Sequence, residues 1–538
     1  MTEPEQQTRG NAKPKGLLTR MRDAFRATSA VPEAAPLVEV VAPTPAIPDG
    51  LVEVESRALV APYCRMRILR DPMLHEHRYE VLEPPLDARE AAAVVFVREA
   101  FLRTVDVDLD GPSARAPLRT ALDRTLRDYA VDLGPVSRAR VLYRLERDFL
   151  GHGPIEAFLH DPDIEDISCD GPGIPVYVYH RRHESVRTNV AFATAQELDT
   201  FVMELIQRCG KQISVTEPLA EAALPDGSRV QASLSSEITT RGSTFTIRKF
   251  RDDPLTPVDL LDNGTASASM LAYLWLAVET GASGIVCGGT ASGKTTSLNA
   301  FSLFIPPQTK IVSIEDTREI NLPHENWIPG LTRGGASPEK QRGEVDMFDL
   351  LRAALRQRPE FILVGEIRGR EAYVLFQAMA TGHTVYSTMH ADSASSAVYR
   401  LESRPIELPR VLLGALDFLA IQAQVRVAGR RVRRITEIVE ITGIDTRTGE
   451  IITNTVYRWD PGTDTFVDAR QSHVLEKAAK ARGVSLDEVR GDLERRKTLI
   501  TAARERGMRD FRSFAALVRA YEADPERALR DVASGAVA

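Results

Sequence analysis

The chain lacks the cysteine patterns of zinc-binding and disulfide-rich proteins. Its 538 residues include four cysteines, at positions 64, 169, 209 and 287, and no two of them form a C-x-x-C pair. Cysteines this far apart in sequence imply neither a structural zinc site nor a disulfide framework. We therefore expect a protein of a reducing compartment, the cytoplasm.

The chain also lacks a net positive charge and has few aromatic side chains. The formal net charge is −7, and Phe, Trp and Tyr together make up 6% of the residues. A channel for single-stranded nucleic acid needs a basic groove and aromatic side chains on which bases stack. No segment combines the two, so nucleic acid is not the expected partner.

Apolar segments of the kind that target or anchor a protein in a membrane are missing from the sequence. The N-terminus lacks the apolar core of a secretory signal. Residues 372–391 carry no charge over twenty positions, which is long enough for a membrane span. Polar residues such as Gln377 and His383 interrupt this window, and 384–388 has the pattern of a strand, so we predict no span there.

A glycine-rich loop is the most informative feature that is present. Residues 288–295 read G-G-T-A-S-G-K-T and match the phosphate-binding pattern G-x-x-x-x-G-K-[ST]. Apolar residues 285–287 precede it like a strand, and residues at helical spacing follow it, which is the context that this motif requires. Backbone N–H groups of such a loop and the following helix N-terminus bind phosphate oxygens. A Gly-Ser turn with a solvated lysine is the alternative.

The loop pattern assigns roles to single residues. Lys294 is expected to contact the β- and γ-phosphates, and the Thr295 hydroxyl to hold Mg²⁺. The residues predicted to contact ATP are Gly288, Gly289, Thr290, Ala291, Ser292, Gly293, Lys294, Thr295 and Thr296.

The remaining pattern predicts several domains, since 538 residues exceed one core. Four apolar strands, at 285–287, 311–314, 361–364 and 384–388, alternate with helices and predict a parallel sheet with helices on both faces. The predicted organisation is a basic segment with a Pro-rich linker over 1–50, an α+β N-terminal domain over 51–250, a hinge linker over 251–264, a nucleotide-binding core over 265–440 and a mostly helical extension over 441–538.

Residues 9–26 form a basic segment with apolar residues at helical spacing. A basic amphipathic helix of this kind can lie on an anionic membrane surface or dock on a partner. A disordered tail with chance periodicity is the alternative.

Two glutamates follow predicted strands, where ligands bind in doubly wound sheets. Glu366 follows the strand at 361–364 and is predicted to orient and polarise an attacking water; a surface glutamate paired with Arg368 is the alternative. Glu315 follows the strand at 311–314 and is predicted to hold Mg²⁺ through water. Its acidic surroundings, 315–319, could equally form a solvated turn.

His383 and His390 bracket the strand at 384–388. The spacing H-x₆-H is not a metal signature. From the residues alone, structural or surface roles for both are as plausible as functional ones.

Taken together, the motifs resemble the secretion ATPase superfamily, the hexameric motors of type II and type IV secretion systems and type IV pili. The sequences of residues 321–327 and 356–359 are most similar to those of the archaeal branch of this superfamily. That branch includes archaellum and pilus-assembly ATPases. The similarity covers about residues 51–530. The segments that carry it are 288–295, 314–317, 358–368 and 381–392.

The resemblance implies a RecA-like core and further site residues. Glu315 falls in the Asp box, Glu366 in the Walker B motif, and His383 and His390 in the His box, which is thought to sense the γ-phosphate and link subunits. Two arginines of the N-terminal domain match segments that lend arginine fingers, namely Arg229 and Arg248.

Two departures from the family pattern affect this assignment. Gly365 stands where an aspartate usually precedes the Walker B glutamate, so Mg²⁺ must depend on Thr295 and the acidic box. The four-cysteine insert of many bacterial relatives is missing, which argues against that subgroup.

The expected function is ATP hydrolysis in a homo-oligomeric ring, a hexamer, that works with a polytopic membrane protein at the cytoplasmic face of the cell membrane. A DNA-translocating or conjugation-type ATPase is the main alternative. A non-catalytic nucleotide-binding scaffold and a GTPase are less favoured, because Lys294 and Glu366 are both retained and no N-K-x-D motif is present.

Overall fold

The computed structural model describes residues 44–104, 115–128, 133–333, 343–469 and 471–534. The predicted basic segment at 9–26 lies outside these residues. Contacts group the chain into two compact units, one of residues 1–165 with 173–193 and the other of residues 166–172 with 194–538. The predicted domain boundary at 251–264 therefore does not coincide with the division into units, which falls near residue 194.

The first unit contains a mixed sheet in the order β1-β2-β3-β6-β5. Its helices share a core that includes Val97, Leu118 and Leu145. The elements are β1 (Val52–Val60), β2 (Cys64–Asp71), β3 (Glu76–Leu82), α1 (Ala88–Thr104), α2 (Arg115–Asp128), α3 (Pro135–Phe149), α4 (Glu156–His160) and, after β4 (Ile164–Cys169) at the division, β5 (Pro175–His180) and β6 (Glu184–Ala191).

The second unit begins with a small antiparallel sheet in the order β4-β9-β8-β7. Helix α5 opens at an N-cap, Thr194, whose side chain accepts a hydrogen bond from the Glu197 amide, as helix N-termini require. The elements are α5 (Ala195–Arg208), β7 (Leu219–Ala223), β8 (Arg229–Ser233) and β9 (Thr244–Arg248).

A large sheet in the order β12-β11-β13-β14-β10-β15-β16-β17-β18 forms the centre of this unit. Neighbouring strands from β12 to β15 are parallel, and those from β15 to β18 are antiparallel. The strands are β10 (Gly284–Gly288), β11 (Ile311–Glu315), β12 (Trp327–Leu331), β13 (Phe361–Val364), β14 (Thr384–Met389), β15 (Phe418–Val427), β16 (Arg430–Ile444), β17 (Ile451–Asp460) and β18 (Thr465–Asp468).

Helices cover both faces of the large sheet, which explains why its central strands are buried along their whole length. On β10, Val286 joins one core cluster, whereas Ile285 and Cys287 join the other. The helices are α6 (Pro257–Asp262), α7 (Ala268–Glu279), α8 (Lys294–Ser302), α9 (Met347–Ala354), α10 (Glu371–Ala380), α11 (Ala394–Glu402), α12 (Arg410–Leu413), α13 (His473–Arg482), α14 (Leu486–Glu505), α15 (Phe511–Ala523) and α16 (Pro525–Ser534). The predicted α/β class with a RecA-like core is confirmed.

The C-terminal region is helical from α13 onward, as expected, and a capping box of Ser485 and Glu488 opens α14. The prediction missed β17 and β18, which extend the large sheet by antiparallel pairing. Their half-exposed, mixed sequence gives a weaker periodic signal than the buried parallel strands do.

The segment predicted as a hinge contains the short helix α6, with Val258 and Leu260 buried. Thr256 and Asp259 form a capping box at its start. Arg504 and Arg509, from the C-terminal region, form ion pairs with Asp262 at distances of 2.6 and 2.5 Å. A hinge within 251–264 stays a prediction, and α6 occupies Pro257–Asp262 of this segment.

Among the described residues, no helix has the length and apolar character needed to cross a membrane. The uncharged window at 372–391 is divided between α10 and β14. Rejection of a membrane span in this window therefore agrees with the structure.

A buried arginine fixes the C-terminal helices to α7. Arg496 of α14 lies over the rings of Trp275 and Tyr521, at 4.8 and 5.0 Å from their centroids. Its guanidinium forms ion pairs with Glu279 at 2.6 Å and Asp492 at 3.1 Å, and its side chain is only 3% exposed. The C-terminal region is thus packed as part of the second unit.

We expect Arg496→Ala to lower the free energy of unfolding by about 3 kcal/mol, because it leaves Glu279 and Asp492 short of a partner in a buried setting. Arg504→Ala, which breaks the exposed pair with Asp262, should cost about 0–1 kcal/mol. Urea unfolding of the full chain measures both. Equal losses of unfolding free energy in the two variants would contradict the expectation that the buried ion pairs of Arg496 stabilise the protein more than the exposed pair of Arg504 does.

Candidate active site

Four parallel strands deliver the predicted site residues to one edge of the large sheet. The phosphate loop follows β10, Glu315 is the last residue of β11, Glu366 follows β13, and His390 follows β14. These strands are neighbours in the order β11-β13-β14-β10. Parallel pairing therefore brings residues more than a hundred positions apart in sequence to a common edge.

The phosphate loop has the compact form that its sequence predicts. Ala291 and Gly293 adopt left-handed backbone conformations, with φ of 60° and 91°. A Cβ atom on Gly288 would lie 2.2 Å from the Gln422 carbonyl oxygen and 2.5 Å from Ser292 Oγ. Glycine is therefore required at 288 by the close approach of β15, and at 293 by the backbone conformation.

Lys294 begins α8 and is buried, with 8% of the residue exposed. Its Nζ atom donates to the Gly289 carbonyl at 3.0 Å and to His390 Nδ1 at 3.5 Å. Burial lowers the pKa of this ammonium, and the nearby Glu366 carboxylate opposes that shift. The lysine is thus held over the loop by weak partners that an anionic ligand can replace.

Glu366 contacts His390 and Arg368 at the same time. Its Oε1 lies 3.2 Å from His390 Nε2, and its Oε2 accepts from Arg368 Nη2 at 2.7 Å. The pair with Arg368 named as the alternative therefore exists, but the Glu366 side chain is only 16% exposed. Glu366 is thus a partly buried carboxylate, and the His390 imidazole lies between it and Lys294 of the phosphate loop.

His390 lies between Lys294 and Glu366, and its imidazole is neutral. Burial, followed by the charge of Lys294, lowers the pKa of its imidazole. Because an ammonium can only donate, Nδ1 accepts from Lys294 and Nε2 carries the hydrogen toward Glu366. The Arg400 side chain donates to the His390 carbonyl at 2.8 Å and helps to fix this residue.

Glu315 is buried at the sheet edge, and its Oε1 accepts from the Glu319 and Ile320 amides at 3.0 Å. Its Oε2 is buried and has no hydrogen-bond partner within the described part of the chain. Burial raises the pKa of this carboxyl to about 8. An unpartnered oxygen of this kind fits a nearby cation, because a cation would replace the proton that burial otherwise favours.

The predicted metal residues, Thr295 and Glu315, thus suit Mg²⁺, which needs few protein ligands when phosphates and water supply the others. The described residues contain no group of three or more His, Cys, Asp and Glu side chains able to hold a metal ion.

The two predicted arginine fingers lie opposite each other on β8 and β9. Arg248 lies 3.7 Å from Glu319 and is close enough to Lys294 to lower its pKa. Arg229 contacts Glu221 at 3.3 Å. The structure brings Arg248 near the phosphate loop of its own chain, while the finger role of either arginine stays a prediction.

His383 lies away from this site. It precedes β14, whereas His390 follows it, so the six-residue strand separates them by roughly 20 Å. Its Nδ1 lies 3.2 Å from the Ala378 carbonyl oxygen. Within one chain the structure therefore brings His390 to the site and leaves His383 at the opposite end of the strand. The functional role of His383 stays a prediction.

Two residues at the phosphate loop were missed by sequence reasoning. Gln422 Nε2 donates to the Ser292 carbonyl at 2.8 Å, and Arg433 Nε donates to the Ala291 carbonyl at 3.1 Å. Both lie on the β15–β16 hairpin, more than a hundred residues from the loop. No local motif marks them, since only the pairing of β15 with β10 brings them to it.

This geometry is that of a RecA-like P-loop core, with the loop, a carboxylate and a histidine at one edge of a parallel sheet. The chain belongs to the family described as type II/IV secretion system protein, whose model matches residues 148–482. A second model, described as PilB3-like, C-terminal, matches residues 462–536.

Known proteins share long segments with this chain. An uncharacterised protein of Methanocaldococcus jannaschii is 42% identical over 359 residues, which are 66% of this chain and 64% of that protein, so slightly less than two thirds of its length is matched. The type IV secretion system protein PtlH of Bordetella pertussis is 35% identical over 292 residues, 50% of this chain and 83% of that protein.

Solved structures include the VirB11 ATPase of the Brucella suis type IV secretion system. It is 26% identical, covers 53% of this chain and 91% of that chain, and has a TM-score of 0.27.

Replacement of Gly288 by alanine should destabilise the protein by about 1–3 kcal/mol, because the added Cβ meets the backbone of β15. Gly289→Ala is the matched control, since its Cβ would meet nothing within 4 Å, and should change stability by less than about 0.5 kcal/mol. Thermal unfolding compares them. Equal stability of the two variants would contradict the described contact between the loop and β15.

Proposed function

We propose that the protein hydrolyses ATP to ADP and phosphate at the sheet edge that carries residues 288–296. The observation that supports this most is the chain of contacts from Lys294 through His390 to Glu366. It joins a phosphate-binding cation to a carboxylate that can activate water. Phosphoryl transfer to water needs both groups near one γ-phosphate.

Each group has a separate task in this proposal. The amides of the loop hold the phosphates, and Lys294 exchanges its weak partners for phosphate oxygens. Glu366 orients the attacking water and accepts its proton. Neutral His390 holds the Glu366 carboxylate in position through its Nε2 atom. Mg²⁺ held near Thr295 and Glu315 would neutralise charge on the β- and γ-phosphates.

Arg248 is suited to respond to the nucleotide. Its present partner, Glu319, is 35% exposed and 3.7 Å away, so the pair is weak. A triphosphate offers a bidentate partner that a guanidinium prefers. In this proposal Arg248 moves from Glu319 to the phosphates and couples the small sheet of β7–β9 to the bound nucleotide; Arg229, opposite it, adds charge from a neighbouring strand.

We further propose that this ATPase is a hexameric motor for assembly or secretion through a pilus-like, archaellum or type II/IV secretion machine. Family membership and the likeness to a type IV secretion system protein support this. The motor would work in the cytoplasm at the inner face of the cell membrane, on a polytopic membrane protein. In this proposal residues 9–26 contact anionic lipid.

DNA translocation is the competing function. The net charge of −7 and the low aromatic content argue against it. Stimulation of hydrolysis by single-stranded DNA, and not by vesicles of anionic lipid, would favour the DNA motor over the secretion motor.

Two substitutions test the catalytic assignment. Lys294→Ala should abolish nucleotide binding and turnover, because the loop loses its cation. Glu366→Gln should still bind ATP but hydrolyse it about 10²- to 10⁴-fold more slowly, because the water loses its base. Phosphate release and equilibrium ATP binding measure the two effects.

Glu407→Gln is the matched control, since Glu407 is 61% exposed and pairs only locally with Arg404, and it should hydrolyse ATP at the wild-type rate. Substantial hydrolysis by the Glu366→Gln protein would remove that glutamate from its proposed role.

A further inference from the structure

Two side chains of the β15–β16 hairpin bind consecutive carbonyl oxygens of the phosphate loop. Gln422 of β15 donates to the Ser292 carbonyl, and Arg433 of β16 donates to the Ala291 carbonyl. Both also pack on Gly293, where a Cβ would lie 3.0 Å from Gln422 Nε2 and 3.2 Å from Arg433 Cδ. The hairpin therefore contacts the loop at three successive residues.

These contacts fix the direction of the loop's N–H groups. A trans peptide is planar, so its N–H points away from its C=O. When Gln422 holds the Ser292 carbonyl, the Gly293 N–H must point to the opposite side, as an amide that binds phosphate requires. The Ser292 N–H donates to the Gly289 carbonyl within the loop at 3.4 Å, so the Arg433 contact with the Ala291 carbonyl helps to hold this turn of the loop.

The loop needs such support, because its conformation is strained. Ala291 has a left-handed φ of 60°, although it is not glycine. A residue in this region costs roughly 1–3 kcal/mol and keeps its conformation only when its surroundings hold it. The Arg433 contact acts on the carbonyl of that same residue.

Gln422 also has a feature that packing alone does not explain. It is 2% exposed, and its Oε1 is buried without a hydrogen-bond partner in the described residues. A buried unpaired oxygen is unfavourable, so an apolar side chain of the same size would suit a purely structural position better. Compared with an apolar side chain, glutamine supplies the Nε2 donor that binds the Ser292 carbonyl.

We propose that Gln422 and Arg433 are positioning residues that hold the phosphate loop in its phosphate-binding conformation before a nucleotide arrives. This inference rests on the proposed function at the same site and extends it to the affinity for nucleotide. The two residues act on the binding of phosphates that ATP and ADP share. They do not touch the proposed hydrolytic group, Glu366, which follows a different strand.

The test uses the full chain with Gln422→Met, which keeps the side-chain volume and removes the donor, and with Arg433→Ala. Each variant should bind ADP and ATP about tenfold more weakly, the loss expected when a buried carbonyl loses its donor. Turnover at saturating ATP should fall less than the affinity does. The melting temperature of Gln422→Met should fall modestly, because the Ser292 carbonyl loses its donor. A merely structural role does not predict that affinity falls more than turnover does.

Hydrogen exchange of residues 289–294 in the nucleotide-free protein gives a second measurement that needs no catalysis. It should be faster in both variants than in the wild type. Arg430→Ala removes a positive charge from the exposed tip of the same hairpin and should leave affinity and exchange unchanged.

Wild-type affinity together with wild-type loop exchange in both variants would overturn the inference. So would loss of turnover with unchanged affinity. Failure of the wild type to bind any nucleotide would refute the proposed function, and the exchange measurement would still decide whether the hairpin holds the loop.

Discussion

The site depends on the parallel pairing of β11, β13, β14 and β10. This pairing gives four strands a common carboxyl-terminal edge, where Glu315, Glu366, His390 and the phosphate loop meet. Reversal of any one strand would move its residue to the far edge, roughly 15–20 Å away. His383 shows the effect, since it stands at the other end of β14 and takes no part in the cluster.

Burial at this edge sets the electrostatics. Lys294 and Glu315 are both buried, and burial disfavours the charge of each. Groups of this kind gain more from a bound phosphate or cation than exposed groups do, because their interactions are less screened by water. The site is thus prepared for a charged ligand, and its weak internal contacts, such as the 3.5 Å approach of Lys294 to His390, are easily exchanged.

Much of this arrangement could be predicted from local sequence. The loop motif specified its own conformation, and the apolar strands specified the parallel sheet, because both signals lie within short segments. The contributions of Gln422 and Arg433 could not be predicted, since they depend on the register of β15 against β10. The helix α6 and the strands β17 and β18 were missed for a related reason: tertiary contacts and antiparallel pairing stabilise them more than their own pattern does.

The most direct test of the account is a single experiment on the full wild-type chain with labelled ATP and Mg²⁺, in which retained nucleotide and released phosphate are followed together. We expect ATP to bind first and phosphate to appear afterwards, with both signals lost when Mg²⁺ is chelated. A protein that retains no ATP, or that retains it indefinitely without release of phosphate, would contradict the central claim that the edge formed by β10, β13 and β14 is a hydrolytic site.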